Sequence, residues 1–263
     1  YIKRIVIAFV FWSGIYELYY AASGRIHLNL AGHFINALMG PTHLWFLFMI
    51  AGLYVMTPFL RKIAESKDLC EYFFAIYLVI KLLATFGEYI PVLGSVIEAD
   101  LGKAYLFFVL GFSVDFLFGY YAKAYPIPKS REWIVYISGA AILLGSLVGN
   151  ACLEIAGAEN LELFTKTDSP TMFLCACAFY VLFVNRVSKI RFSQNAADLI
   201  ERFGKYGFGM YLVHYLIVWI LPVRLLAFVP ILSTPIAAAV VFLISFLVSA
   251  CLRRIPVLGR YIA

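Results

Sequence analysis

Eight separate runs of 17 to 21 mostly apolar residues dominate the sequence, at about 5–22, 43–60, 72–90, 104–123, 133–153, 171–187, 205–222 and 234–252. A helix rises about 1.5 Å per residue and the hydrocarbon core of a bilayer is about 30 Å thick, so runs of this length match one membrane crossing. Inside lipid each backbone N–H and C=O must be satisfied within the protein, and a helix does this within its own segment. Composition agrees. Some 63% of the 263 residues are apolar and 14% charged, against about 45–50% and about 25% in soluble domains. A water-soluble globule could not cover its surface with so few charges. The expected fold is therefore all-α, a polytopic transmembrane helix bundle of about eight spans, forming one integral-membrane domain over 1–263. Soluble enzymes, nucleic-acid-binding modules, disordered tails and secreted disulfide scaffolds are excluded. The span at 72–90 has the least support, because Lys81 and Glu88 interrupt it.

The 21 basic residues are not spread evenly. Taking the connections alternately, one side holds 16 of them, from Lys3 and Arg4 through Arg61, Lys62 and Lys67 to Arg253, Arg254 and Arg260. The other side holds only Arg25, Lys103, Lys166 and Arg224. Positive charge is retained in the cytoplasm, so with eight spans both termini are expected there. The opposite side is acidic, with Glu98, Asp100, Glu159, Glu162 and Asp168. No basic stripe with interleaved aromatics occurs, so the net charge of +6 does not point to nucleic acid. The five cysteines include Cys175 and Cys177 inside an apolar run, a spacing that fits neither zinc nor redox chemistry. No metal site is expected.

Residues 23–42 are too polar to span and too apolar to float freely. Such a segment rests at the outer interface or re-enters the bilayer to line a cavity. The chain starts Tyr1-Ile2-Lys3-Arg4, with neither Met nor a signal-peptide layout. It reads as a chain opened at a cytoplasmic loop.

Ionisable groups at membrane depth are costly and mark either function or pairing. Lys81 and Asp115 fall eight or nine residues from the inner ends of their spans, roughly 12–14 Å above the cytoplasmic boundary at helical rise. His214 has nearly the same depth. Either Lys81 and Asp115 form a neutralising ion pair with His214 hydrogen-bonded in the core, or the three line a polar cavity for reaction or conduction. His43 opens the second span in Thr42-His43-Leu44-Trp45, where aromatic anchoring competes with catalysis. His27 and His33 lack metal-ligand spacing, and Glu17 lies near the outer end of its span, within reach of water.

Three stretches together resemble the acyltransferase-3 family. The first is His43-Leu44-Trp45-Phe46-Leu47 followed by Gly52-Leu53-Tyr54 and Thr57-Pro58-Phe59-Leu60-Arg61. The second is Gly207-Phe208-Gly209-Met210-Tyr211-Leu212-Val213-His214, similar to the family's penultimate-helix pattern. The third is Phe246 to Ile262, with Arg253-Arg254-Ile255-Pro256-Val257-Leu258, similar to its usual ending. The nearest flavour is the O-acetyltransferase type that acts on enterobacterial common antigen.

The resemblance implies a bacterial inner-membrane, multi-pass O-acyltransferase. It would carry an acyl group, usually acetyl, from cytoplasmic acetyl-CoA to a sugar hydroxyl of an envelope glycan or lipid-linked sugar acceptor. Acetyl-CoA is a co-substrate, and no bound cofactor is implied. Lys3 and Arg4 resemble the end of the family's basic run implicated in holding the acyl donor, and Arg61 joins them as a donor-binding candidate. Family members have about ten spans of about 20 residues, so the first two, which carry an Arg–ten residues–His pattern whose His is regarded as the catalytic base, are expected to precede Tyr1, and residues 1–263 alone are expected to be inactive. His214 and His43 are the catalytic candidates here, with His214 as a base or a hydrogen-bond donor. The sequence leaves one alternative, a multi-pass transporter or flippase whose cavity holds Lys81, Asp115 and His214.

Overall fold

The structure, a computed structural model, describes residues 1–24, 29–87, 96, 103, 107–157, 164–221 and 230–263. Arg25, His27, Glu88, Glu98, Asp100, Glu159, Glu162 and Arg224 lie outside the described residues. All regular structure among the described residues is helical. In chain order the helices are α1 (Ile2–Ala22), α2 (Leu30–Met39), α3 (Trp45–Ala64), α4 (Lys67–Gly87), α5 (Phe107–Leu110) and α6 (Ser113–Ala124). There follow α7 (Lys129–Ile155), α8 (Pro170–Asn185), α9 (Gln194–Ile220), α10 (Pro230–Leu252) and α11 (Gly259–Ile262).

Among the described residues, five helical segments are long and apolar enough to cross a membrane: Ile2–Ala22, Leu30–Ala64, Lys129–Ile155, Pro170–Lys189 and Ser233–Leu252. Of the eight expected runs, three fall outside these five segments. The run at 104–123 does not form one helix, because the backbone breaks between Leu110 and Ser113. In α4 the charges of Lys67, Asp68, Glu71 and Lys81 dilute the apolar stretch, and its expected end at 88–90 lies outside the described residues. The run at 205–222 is the second half of α9, where Lys205, two glycines, three tyrosines and His214 offset the apolar residues.

The chain groups into two compact units, Tyr1–Tyr54 with Phe192–Ala263, and Val55–Arg191. In the first, α1 buries Ile5, Ala8, Trp12, Tyr16 and Tyr20, a stripe at three- and four-residue spacing that stacks along one helix face. It packs on Leu212, Val213 and Ile217 of α9, with Leu44, Leu47 and Val241 completing the cluster. Two hydrogen bonds fix its rotation: Trp12 Nε1–H donates to the Ile262 carbonyl at 3.0 Å, and the Tyr16 hydroxyl donates to the Leu212 carbonyl at 3.0 Å. The same hydroxyl accepts from the Leu216 N–H at 3.0 Å, so it bridges one turn of α9.

The second unit is built on Cys70, Phe73 and Tyr77 of α4, Val114 and Leu117 of α6, and Phe173 of α8. In the same unit α7 is inverted relative to a helix of a water-soluble protein. Its buried residues are Glu132, Gly139 and Ser146, whereas Trp133, Ile134, Ile137, Leu144, Leu147 and Val148 are exposed. Between membrane helices, small residues allow close approach and polar ones supply hydrogen bonds, while apolar chains turn to lipid. Gly139 lies so close to Ala178 of α8 that a Cβ there would collide with the alanine side chain.

Candidate active site

Both catalytic candidates fall in the first unit, and the fold brings them together. Three local devices do so. Gly40 has φ +72°, and a Cβ at this position would sit 2.5 Å from the Phe9 ring, so only glycine closes the end of α2 here. Pro41 then leads into a short 3₁₀ turn, Thr42–Leu44, which sets His43 just ahead of α3. On α9, Tyr211, His214 and Tyr215 stand at i, i+3 and i+4, one face of the helix.

The His43 ring stacks on Tyr215 at 4.7 Å between centroids and meets the Tyr16 ring edge-on, also at 4.7 Å. The His214 ring lies 5.9 Å away, nearly perpendicular at 85°. The Tyr211 hydroxyl donates to the His43 backbone carbonyl and so ties the 3₁₀ turn to α9. Among the described residues neither ring nitrogen of His43 makes a hydrogen bond of good geometry, although both are buried. Leaving a buried polar group unpaired costs about 1–3 kcal/mol, and such a group in a folded protein calls for a functional explanation.

His214 is poised differently. Its Nδ1 lies 2.6 Å from the Tyr211 carbonyl oxygen. A carbonyl only accepts, so Nδ1 carries the proton and Nε2 is left with its lone pair. The half-buried His214 and Tyr211 also line an apolar cavity of about 580 Å³ between α9 and α10, together with Met210, Val218, Val241 and Ser245. The arrangement offers one imidazole able to accept a proton and a second imidazole beside it.

The other expected residues are dispersed. Lys3 is exposed at the start of α1. Arg4 lies 4.5 Å from the Phe208 ring centroid, and its Nη2 donates to the Ala263 carbonyl at 2.9 Å. Arg61 belongs to the second unit, where it lines a cavity of about 570 Å³ with Thr57, Leu60, Phe116, Leu117 and Tyr120.

The expected Lys81–Asp115 pair is not the one formed. Lys81 Nζ lies 2.7 Å from Asp168 Oδ2, in the turn before α8. Asp115 instead occupies the first turn of α6, where unpaired backbone N–H groups and the helix dipole favour a carboxylate. The helix break before Ser113 creates that position, and depth arithmetic along an unbroken span could not include it.

Sequence reasoning also missed a polar cluster. Glu17 is largely buried and hydrogen-bonded within the protein: its Oε1 lies 2.5 Å from His33 Nδ1 and its Oε2 2.5 Å from Asn36 Nδ2. Nothing in the spacing of these residues signals the contact, which depends on α2 folding back along α1. The aromatic setting of His43 was legible in part, since Tyr211 and Tyr215 flank His214 at helical spacing. Among the described residues, no group of three or more His, Cys, Asp or Glu side chains is arranged to hold a metal ion.

No curated protein and no solved structure matches the chain. A family model described as an acyltransferase domain matches residues 2–254, nearly the whole sequence. With its all-helical architecture and its apolar helices long enough to cross a membrane, the chain belongs to the acyltransferase-3 family.

Proposed function

We propose that the protein is a bacterial inner-membrane O-acyltransferase that moves an acetyl group from acetyl-CoA to a hydroxyl of an envelope polysaccharide or glycolipid. In this reading residues 1–263 belong to one acyltransferase domain, with both ends on the cytoplasmic side. The observation that carries it is the pairing of His43 with His214, one ring with no hydrogen bond of good geometry among the described residues and the other with a defined tautomer.

His214 Nε2 takes the proton of the acceptor hydroxyl as its oxygen attacks the thioester carbonyl carbon. General-base help of this kind is worth about 10²–10⁴ in rate. His43 donates a hydrogen bond to the oxyanion that develops, from a site where water does not compete. The C–S bond then breaks, and the proton passes from His214 to the departing CoA thiolate. Lys3 and Arg4, at the start of α1, serve the donor's phosphates, and a basic cytoplasmic surface raises the local concentration of an anionic donor.

The test is transfer of radiolabel from acetyl-labelled acetyl-CoA into envelope glycan by the membrane-embedded protein. Covalent, alkali-labile label is the expected result. A transporter would leave none, and absence of label would reject the reading.

A further inference from the structure

The Glu17–His33–Asn36 cluster has no part in the chemistry just described, yet its groups are held in one defined arrangement. An ionised carboxylate only accepts hydrogen bonds, so both contacts to Glu17 must be donated to it. That fixes His33 with its proton on Nδ1 and Asn36 with its amide nitrogen toward Glu17. Asn36 Oδ1 is then left as an acceptor, with His33 Nε2 as the second polar atom of the pair. The two residues stand at i, i+3 on α2, so their side chains share one face about 5–6 Å apart. Both are partly accessible, while the carboxylate that orients them is buried. Four residues earlier on α1, the buried Ser13 Oγ has no partner among the described residues.

This arrangement selects its ligand by chemistry. The Asn36 oxygen needs a donor, which a phosphate oxygen does not offer, and the imidazole nitrogen beside it exchanges a hydrogen bond with a hydroxyl. The pair suits a ligand with adjacent groups that donate and accept, and a polyhydroxylated sugar supplies these. The position fits as well. Glu17 directly follows Tyr16, whose ring packs on His43. It also lies 13 residues along α1 from Arg4, about 20 Å at helical rise and away from the basic end of the helix.

We propose that His33 and Asn36, oriented by Glu17, form the subsite that binds hydroxyls of the acceptor carbohydrate. This inference rests on the acetyl-transfer reading above. His33 and Asn36 touch the acceptor, and Glu17 is a positioning residue that acts through them.

The test uses the full chain in lipid nanodiscs, with acetyl-labelled acetyl-CoA and envelope polysaccharide of the source cells stripped of its esters by mild alkali. His33→Ala and Asn36→Ala should each raise KM for the polysaccharide about tenfold, the effect of one lost hydrogen bond of about 1.4 kcal/mol. Their kcat and their KM for acetyl-CoA should stay within about threefold of wild type, a change well below one such bond. His33→Gln, which keeps a donor for Glu17 and an outward acceptor, should restore KM. Unchanged KM for the polysaccharide, or a loss confined to kcat, overturns the proposal. Diethyl pyrocarbonate modification of His33, read by peptide mass spectrometry on the wild-type chain, decides the matter even where a variant fails to fold. The stripped polysaccharide should shield His33 and acetyl-CoA should not; absence of shielding overturns the proposal. If the wild-type chain transfers no acetyl group, the transfer reading fails by itself, and the shielding result still decides whether this subsite takes carbohydrate.

Discussion

Lys81 of α4 and Asp168, 87 residues later in the turn before α8, form a salt bridge of 2.7 Å, and the Tyr77 hydroxyl donates to the Asp168 carbonyl at 3.1 Å. Partial burial alone would raise the Asp168 carboxyl. The hydrogen bond and charge of Lys81 outweigh it and hold the carboxyl below its ordinary value. A depressed carboxylate contributes stability that is complete above the ordinary carboxylate range and is lost as pH falls through its folded value. Asp168 is half exposed, so the contribution is about 1 kcal/mol or less. Asp168→Asn should lower the melting temperature of the detergent-solubilised protein by a few degrees at neutral pH and weaken its acid dependence. In a double-mutant cycle with Lys81→Met, strictly additive losses would show that the pair contributes nothing.

The two histidines should separate stability from activity. His214→Ala is expected to lower acetyl transfer by about 10²–10⁴ with expression unchanged. His43→Phe keeps a flat ring on Tyr215 and removes two buried nitrogens that make no hydrogen bond of good geometry among the described residues. This variant should melt at or above the wild-type temperature while losing transfer, since a functional site often holds an arrangement that costs stability. A His43→Phe protein with full activity would return the ring to a packing role.

Two glycines on α9, two residues apart, should respond oppositely to alanine. A Cβ on Gly209 would lie 2.7 Å from the Ala263 Cα and collide with the Ser249 hydroxyl, whereas one on Gly207 meets nothing within 4 Å. Gly209→Ala should destabilise by about 1–3 kcal/mol through overpacking. Gly207→Ala should be neutral or stabilising by up to about 1 kcal/mol, from helix propensity. Thermal melts of the two variants side by side check this, and equal effects would contradict the packing described for α9.

The charge asymmetry gives a topology that can be checked in intact cells. Engineered cysteines near 65, 127 and 195 should be shielded from an impermeant thiol reagent, and those near 32, 97 and 163 should react. Labelling at 127 without labelling at 163 would reverse the orientation.

The helical class and most long helices could be read from hydropathy, because lipid imposes one local rule on every crossing residue. What failed were inferences across distance. The Lys81 partner was sought at equal depth along a neighbouring span, but Lys81 reaches Asp168, which the charge pattern had assigned to the side opposite the cytoplasm. Asp115 was misjudged because the reading assumed a continuous helix where the backbone breaks before Ser113. His214 could be singled out as an ionisable group at membrane depth, and His43 as one at the outer interface. That they meet, 171 residues apart, follows from the Gly40–Pro41 turn and from the packing of α1 on α9. Residues 29–39 illustrate the middle ground. Their polarity marked them as neither span nor free loop, and α2 indeed forms there with Asn29 capping its first turn. The hold of Glu17 on α2 left no trace in the pattern.

The Tyr16 hydroxyl, which takes up both the Leu212 carbonyl and the Leu216 N–H, works as a pin through α1 and α9. Turning α9 about its axis would break both bonds together, each worth about 1 kcal/mol, and would unseat the Tyr16 ring from His43. Lower on the same helix, the Ser249 hydroxyl of α10 donates to the Tyr206 carbonyl at 3.1 Å, a rivet between α9 and α10. Pin and rivet together hold the wall that carries His214 in one rotational setting against both of its neighbours.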